Sequence, residues 1–218
     1  MPAMALGLAA GMASCSKSFT DLTPQGTTTD ANFWKTESDA IFASNGLYEH
    51  FNDDNMFGRG LFWFVNASDD VVTGRTDAGS AAVRNFTATG NESRINSMYK
   101  KFYQIIQRAN NIIVKVPSMN ISDKTKNQVI GEAYFMRGYA SFYLSQYYGD
   151  QRAGVPIVTE QNMNENKFTR PANVQENFKQ IESDLLKAAD MLPLLTTYDA
   201  SNLGRANKDA AYAYLAKT

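Results

Sequence analysis

The residues with the most chemical character lie between positions 68 and 86. Ser68, Asp69, Asp70, Arg75 and Asp77 come first, followed by Arg84, Asn85 and Phe86. Carboxylate, guanidinium, amide and an aromatic ring are the groups that grip sugar hydroxyls and cover the flat face of a pyranose. The same residues also fit a solvated loop with local Asx turns. Glycoside hydrolysis needs two carboxyl groups about 5–10 Å apart with separated pKa values; Asp69 and Asp70 are sequence neighbours, and their order does not assign them that geometry.

Other chemistries are poorly served. One histidine, His50, and one cysteine, Cys15, leave no His/Cys metal site and no disulfide framework. A Ser-His-Asp triad would have to use His50, and nothing near it resembles a nucleophile turn. No metal or other cofactor is expected. The formal charge of −1 over 218 residues gives no basic stripe for nucleic acid. With 44% apolar residues the chain can build a proper core, and its Tyr and Phe content suits helix packing as well as flat ligands.

The elements that hold such a loop are helical. From Gln128 to Tyr148, Val129, Ala133, Met136, Ala140, Tyr143 and Tyr147 recur at helical steps, while Tyr134, Phe135, Phe142, Leu144 and Tyr148 occupy the other faces. A helix apolar nearly all round must be covered by other helices. Ser122-Asp123 is its expected cap, and Gly149 is expected to close it in a left-handed turn. An earlier helix is expected from about Asp30, with Thr29-Asp30 as cap, to Phe51. The stretch from Gly58 to Asn91 shows no helical period and reads as one long functional loop. A second long helix runs from Ser93 to Val116, before Pro117. Val155-Pro156-Ile157-Val158 is extended. A fourth helix carries Val174, Phe178, Ile181, Leu185 and Leu192 and ends at Pro193. Ser201-Asn202-Leu203-Gly204-Arg205 opens a fifth, with Ala206, Ala210, Ala213 and Tyr214 on its small-residue face. Ala188 to Pro193 closes its helix as a tetratricopeptide unit does, so the expected class is mostly α, with tetratricopeptide-like antiparallel pairs and long connecting loops. Arg108, Glu132 and Arg137 read as polar anchors between helices.

The N-terminus reads as an export signal. Pro2 to Ser14 is apolar and uncharged but too short to span a bilayer. Met12-Ala13-Ser14-Cys15 looks like a bacterial lipobox, which implies that Cys15 becomes the first mature residue and carries lipid. Residues 1–14 are then the signal, 15–29 a tether turning extended, and 30–218 the helical domain, its C-terminal part missing because the helical pattern still runs at Thr218.

Seven pieces in order carry a family resemblance. They are Cys15, Asp21-Leu22-Thr23-Pro24-Gln25, Asn32 to Ala40, Arg108-Ala109-Asn110, Gly131-Glu132-Ala133 with Arg137, Tyr147 to Val158, and Gly204-Arg205-Ala206-Asn207-Lys208. Together they resemble the SusD/RagB family of outer-membrane nutrient-binding lipoproteins, over essentially the whole chain but only the N-terminal part of the family's length. The resemblance implies tetratricopeptide-like helix pairs and binding without catalysis, so not an enzyme. It also implies a lipid anchor in the outer membrane facing outward. The implied partners are an oligosaccharide or polysaccharide and a SusC-like TonB-dependent transporter. Asp70 and Arg75 lie where some glycan-binding members have a carboxylate and an arginine, and Phe86 where a stacking aromatic falls. The competing reading is a helical-repeat adaptor that binds only protein partners in the cell envelope.

Overall fold

The computed structural model describes residues 32–71, 74 and 78–218, with backbone only for 61–63. The expected signal, Cys15 and the tether lie outside the described residues. Two compact units are present, Met1–Phe33 and Trp34–Thr218. Of the first, only Asn32 and Phe33 are described. Among its described residues the second carries seven α-helices: α1 Glu37–Tyr48, α2 Gly60–Val65, α3 Ala78–Arg84, α4 Ser93–Lys115, α5 Asp123–Tyr148, α6 Gln175–Met191 and α7 Lys208–Leu215. No strand occurs among the described residues.

α5 is the rod about which the rest is arranged. Its 26 residues span about 39 Å. Fourteen of them are buried, on every face, so α1, α4 and α6 must all cover it. Ser122 caps its start, accepting from the Thr125 amide at 3.3 Å. Gly149 ends it, but not by a left-handed turn: its φ is −105° and ψ 159°. Glycine is needed there for space, because a Cβ would stand 2.8 Å from the Ser145 carbonyl oxygen and 3.0 Å from Val174 Cγ2.

Named pairs fix the directions. Gly131 faces Leu192 and Gly138 faces Leu185, so α5 and α6 are antiparallel, brought close by two bare positions seven residues apart. Tyr148 reaches Ile95 and Arg137 reaches Asn110, so α4 and α5 are antiparallel as well. α7 returns along α6, with the Lys208 amide on the Pro193 carbonyl at 2.9 Å. α1 is parallel to α5, since Thr125 contacts Glu37 and Ser44 contacts Glu132 at one constant offset. The result is the tetratricopeptide-like stack of helix pairs that the sequence pattern implies.

Three boundaries differ from expectation. α1 begins at Glu37, not near Asp30, because Thr36 and Asp39 close a capping box: the Asp39 amide donates to Thr36 Oγ1 and the Thr36 amide to the Asp39 carboxylate. Its buried stripe is Ala40, Ser44 and Leu47, and Ile41 is exposed. The loop from Gly58 to Asn91 contains α2 and α3, each too short to display a 3.6-residue period. Residues 201–205 do not open the last helix. Asp199 gathers the amides of Ser201 and Asn202 into a turn, Gly204 takes φ +89°, and Asn207 caps α7 through the Ala210 amide.

Candidate ligand-binding site

The excursion between α1 and α4 is tied to the stack by rings. Phe64 of α2 stacks on Tyr147 of α5 at 3.7 Å and 8°. α2 then ends in a serine turn: Ser68 Oγ donates to the Val65 carbonyl at 2.9 Å and accepts from the Asp70 amide at 3.3 Å. Asp69 and Asp70 are exposed. Arg75 and Asp77 lie outside the described residues.

After α3, the Phe86 amide donates to Val83 and the Thr87 amide to Ala82. This reversal puts Phe86 at φ +55° with its ring 79% exposed. A bulky residue in the left-handed region is an outlier, and strained positions of this kind gather at functional sites. Asp70 and Phe86 share no hydrogen bond in the described structure.

Gly90, four residues beyond Phe86, lines a cavity of about 340 Å³ that the sequence did not reveal. The first turn of α4 gives it Ile95 and Asn96, with Tyr99 one turn further; α5 gives Tyr148; the extended segment and the lead-in to α6 give Pro156 and Arg170. Tyr99 meets Tyr148 edge-on at 5.1 Å, and the Tyr148 hydroxyl donates to the Ile95 carbonyl at 2.7 Å. Behind them, Tyr103 donates to the Pro156 carbonyl at 2.8 Å. Burial pushes the Tyr148 and Tyr103 phenols up, so both remain neutral hydroxyls at any physiological pH. The wall beyond Pro156 is held by Asn177 of α6, whose side chain accepts from the Val155 amide at 3.1 Å and donates to its carbonyl at 2.8 Å. Gly154 makes room for it, since a Cβ there would sit 2.1 Å from Asn177 Oδ1. The lining therefore offers rings, an amide and one guanidinium, and it contains no carboxylate.

The charged residues in the motifs are scaffold. Arg137, almost wholly buried, forks onto Asp184 of α6 at 2.8 and 2.7 Å, and its Nη1 reaches Asn110 of α4 at 2.6 Å and the Glu160 carboxylate. Burial pushes the Asp184 carboxyl above its ordinary range, against the pull of the two-pronged Arg137 contact. Burial also opposes ionised Glu160, and the Arg137 contact overcomes it, holding that carboxyl below its usual range. Buried Glu132 takes both prongs of Arg205 at 2.7 Å together with Ser44 Oγ. Arg108 joins the Gly46 carbonyl and Glu49. Among the described residues, no His/Cys/Asp/Glu group is placed to hold a metal ion, and no helix is long and apolar enough to cross a membrane.

Comparison with known proteins places this stack. A family model described as "Starch-binding associating with outer membrane" matches residues 21–218. A SusD-like protein of Bacteroides ovatus is 28% identical over an alignment of 217 positions that covers 94% of this chain and 36% of that protein. SusD-like protein P38 of Formosa agariphila is 26% identical over 190 residues, 86% of this chain and 36% of that one. Among solved structures, a SusD homolog from Bacteroides thetaiotaomicron superposes with a TM-score of 0.72 at 27% identity, covering 89% of this chain and 38% of its own. A laminarin-binding SusD-like protein gives 0.69 at 25% identity, covering 84% and 40%. The chain thus spans well under half the length of these relatives.

Proposed function

Because the chain belongs to the SusD-like family, we propose that it is the N-terminal portion of a surface lipoprotein that binds oligosaccharide or another nutrient and hands it to a SusC-like TonB-dependent transporter. In this reading residues 1–14 are a signal peptide, Cys15 carries the lipid that holds 15–29 and the helical domain at the outer membrane, and the outward face meets the glycan. Asp70, Arg75 and Phe86 serve as ligand contacts, with Phe86 as the stacking platform.

One observation carries the reading. The Phe86 ring is 79% exposed on a left-handed backbone, an arrangement that costs stability twice and pays only if something covers the ring. A sugar face is such a cover, held by contact area and a few oriented hydrogen bonds.

The test is calorimetry of the purified chain against soluble glycans, laminarin oligosaccharides first, since a relative is laminarin-binding. Binding that weakens in Phe86→Ala with an unchanged circular dichroism spectrum is expected. Failure to bind any glycan, with recovery of an envelope protein instead, would favour the adaptor reading. Lipid labelling that persists in Cys15→Ala would remove the anchor from the proposal.

A further inference from the structure

Arg170 differs from the arginines that fasten the stack. Arg59, Arg108, Arg137, Arg152 and Arg205 each meet a carboxylate. Arg170 meets none among the described residues. Its Nε donates to the Gly154 carbonyl at 2.6 Å, and its Nη2 to the carbonyls of Tyr148 at 3.0 Å and Ala153 at 3.5 Å. Three carbonyls fix the plane of the guanidinium without neutralising it. The two N–H groups of Nη1 take no hydrogen bond there, and the residue lines the tyrosine cavity. The other lining groups are uncharged, among them Asn96, Tyr99, Tyr148 and Pro156. Glu92 acts electrostatically on the Tyr148 phenol, but its Oε2 already accepts from the Arg94 and Ile95 amides at 2.9 and 3.0 Å to cap α4. A fixed guanidinium with a spare pair of donors is a receptor for a carboxylate or a sulfate.

The cavity, at about 340 Å³, falls at the lower end of the roughly 300–1,000 Å³ typical of ligand pockets. That suits a sugar unit rather than a long chain. Tyr99 and Tyr148 offer ring faces and edges to its carbon skeleton. We propose that this cavity takes an anionic sugar unit, bearing a carboxylate or a sulfate ester, with Arg170 as its charge partner. The inference takes the glycan-binding function as given and adds the class of glycan.

The experiment is calorimetry of the purified chain with three probes of equal length: a neutral β-glucan oligosaccharide, an oligogalacturonide and a sulfated galactan oligosaccharide. Each is measured at low and at moderate salt. One acidic probe should bind at least tenfold more tightly than the neutral one, lose that advantage as salt rises, and lose it again in Arg170→Met. The carboxylate and sulfate probes separate the two anions. Because Arg170 also ties three carbonyls, Asn96→Asp provides a second route: it places a negative charge in the lining and leaves those bonds intact. It should weaken the acidic probe severalfold. Equal affinity for neutral and acidic probes, or acidic binding indifferent to both substitutions, overturns the proposal while the glycan-binding function stands. No binding of any probe overturns both.

Discussion

Phe86 gives the sharpest test, because its cost and its use can be measured separately. An L-residue in the left-handed region pays about 1–2 kcal/mol. The 79% exposed ring returns little: a Phe side chain of about 200 Å² that is one-fifth covered gains about 1 kcal/mol at 25 cal/mol per Å². Phe86→Ala and Phe86→Asn both delete the ring and so lose the same contact. They differ at the backbone, since Asn is several-fold enriched at positive φ and Ala is not. The Asn variant should therefore be the more stable of the two by about 1 kcal/mol, or about 2–4 °C in Tm for a domain of this size. At an ordinary helical position the order is reversed, because Ala has the higher propensity. Thermal melts followed by circular dichroism read the difference. Glycan affinity should fall equally in both variants, from a few-fold to about tenfold, as expected when a stacking ring worth about 0.5–1.5 kcal/mol is lost. If Ala matches or exceeds Asn in stability, residue 86 is not held at positive φ and the strain argument fails. If the two variants differ in affinity, the ring is not what the ligand touches.

The polar hub of the stack should be unforgiving: Arg137→Met leaves Asp184 buried and unpaired and should cost about 3–5 kcal/mol in urea unfolding, and a loss below 1 kcal/mol would show the hub to be solvated. Gly138→Ala puts a Cβ 3.1 Å from Leu185 Cγ and should cost about 1–3 kcal/mol, whereas Gly46→Ala, with nothing within 4 Å, should gain about 0.5–1 kcal/mol; equal effects would refute close α5–α6 packing. His50 is buried with Nε2 unpartnered, and burial first, then Arg108 and Lys101, hold its imidazole below the ordinary range. Its folded pKa lies under the unfolded value near 6.5, so its contribution is complete above about pH 6.5 and is lost as pH falls below it. Tm should drop between pH 7 and 5 in the wild type and drop less in His50→Phe; parallel curves would place the titration elsewhere.

The long helices were legible because length makes a period visible. α4 runs Ser93–Lys115 against an expected Ser93 to Val116, and the Ser122 cap of α5 is where it was read. Local competition decided the misses. Thr29-Asp30 was read as the cap of α1, but the Thr36–Asp39 box closes it, satisfying amides from both ends. α2 and α3 have six and seven residues, too few to show a stripe. Gly149 was read as a matter of handedness, when crowding by Ser145 and Val174 is what requires it.

The family motifs were legible for a related reason, and they turned out to be fastenings. Arg108 with Gly46 and Glu49, Arg137 with Asn110 and Asp184, and Glu132 with Arg205 tie α4 to α1, α5 to α4 and α6, and α5 to the turn before α7, so each has a partner elsewhere in the chain. The cavity-lining side chains form no such charge pair. Tyr99, Tyr148 and Arg170 come from three elements far apart in sequence, and nothing in their order announces a common cavity. What such residues leave in a free protein is an uncompensated cost. Here it is a phenylalanine on left-handed backbone with its ring in solvent. Arg170 adds an exposed guanidinium held in place by three carbonyls with no carboxylate to meet it, so the search for the ligand should begin at these two residues.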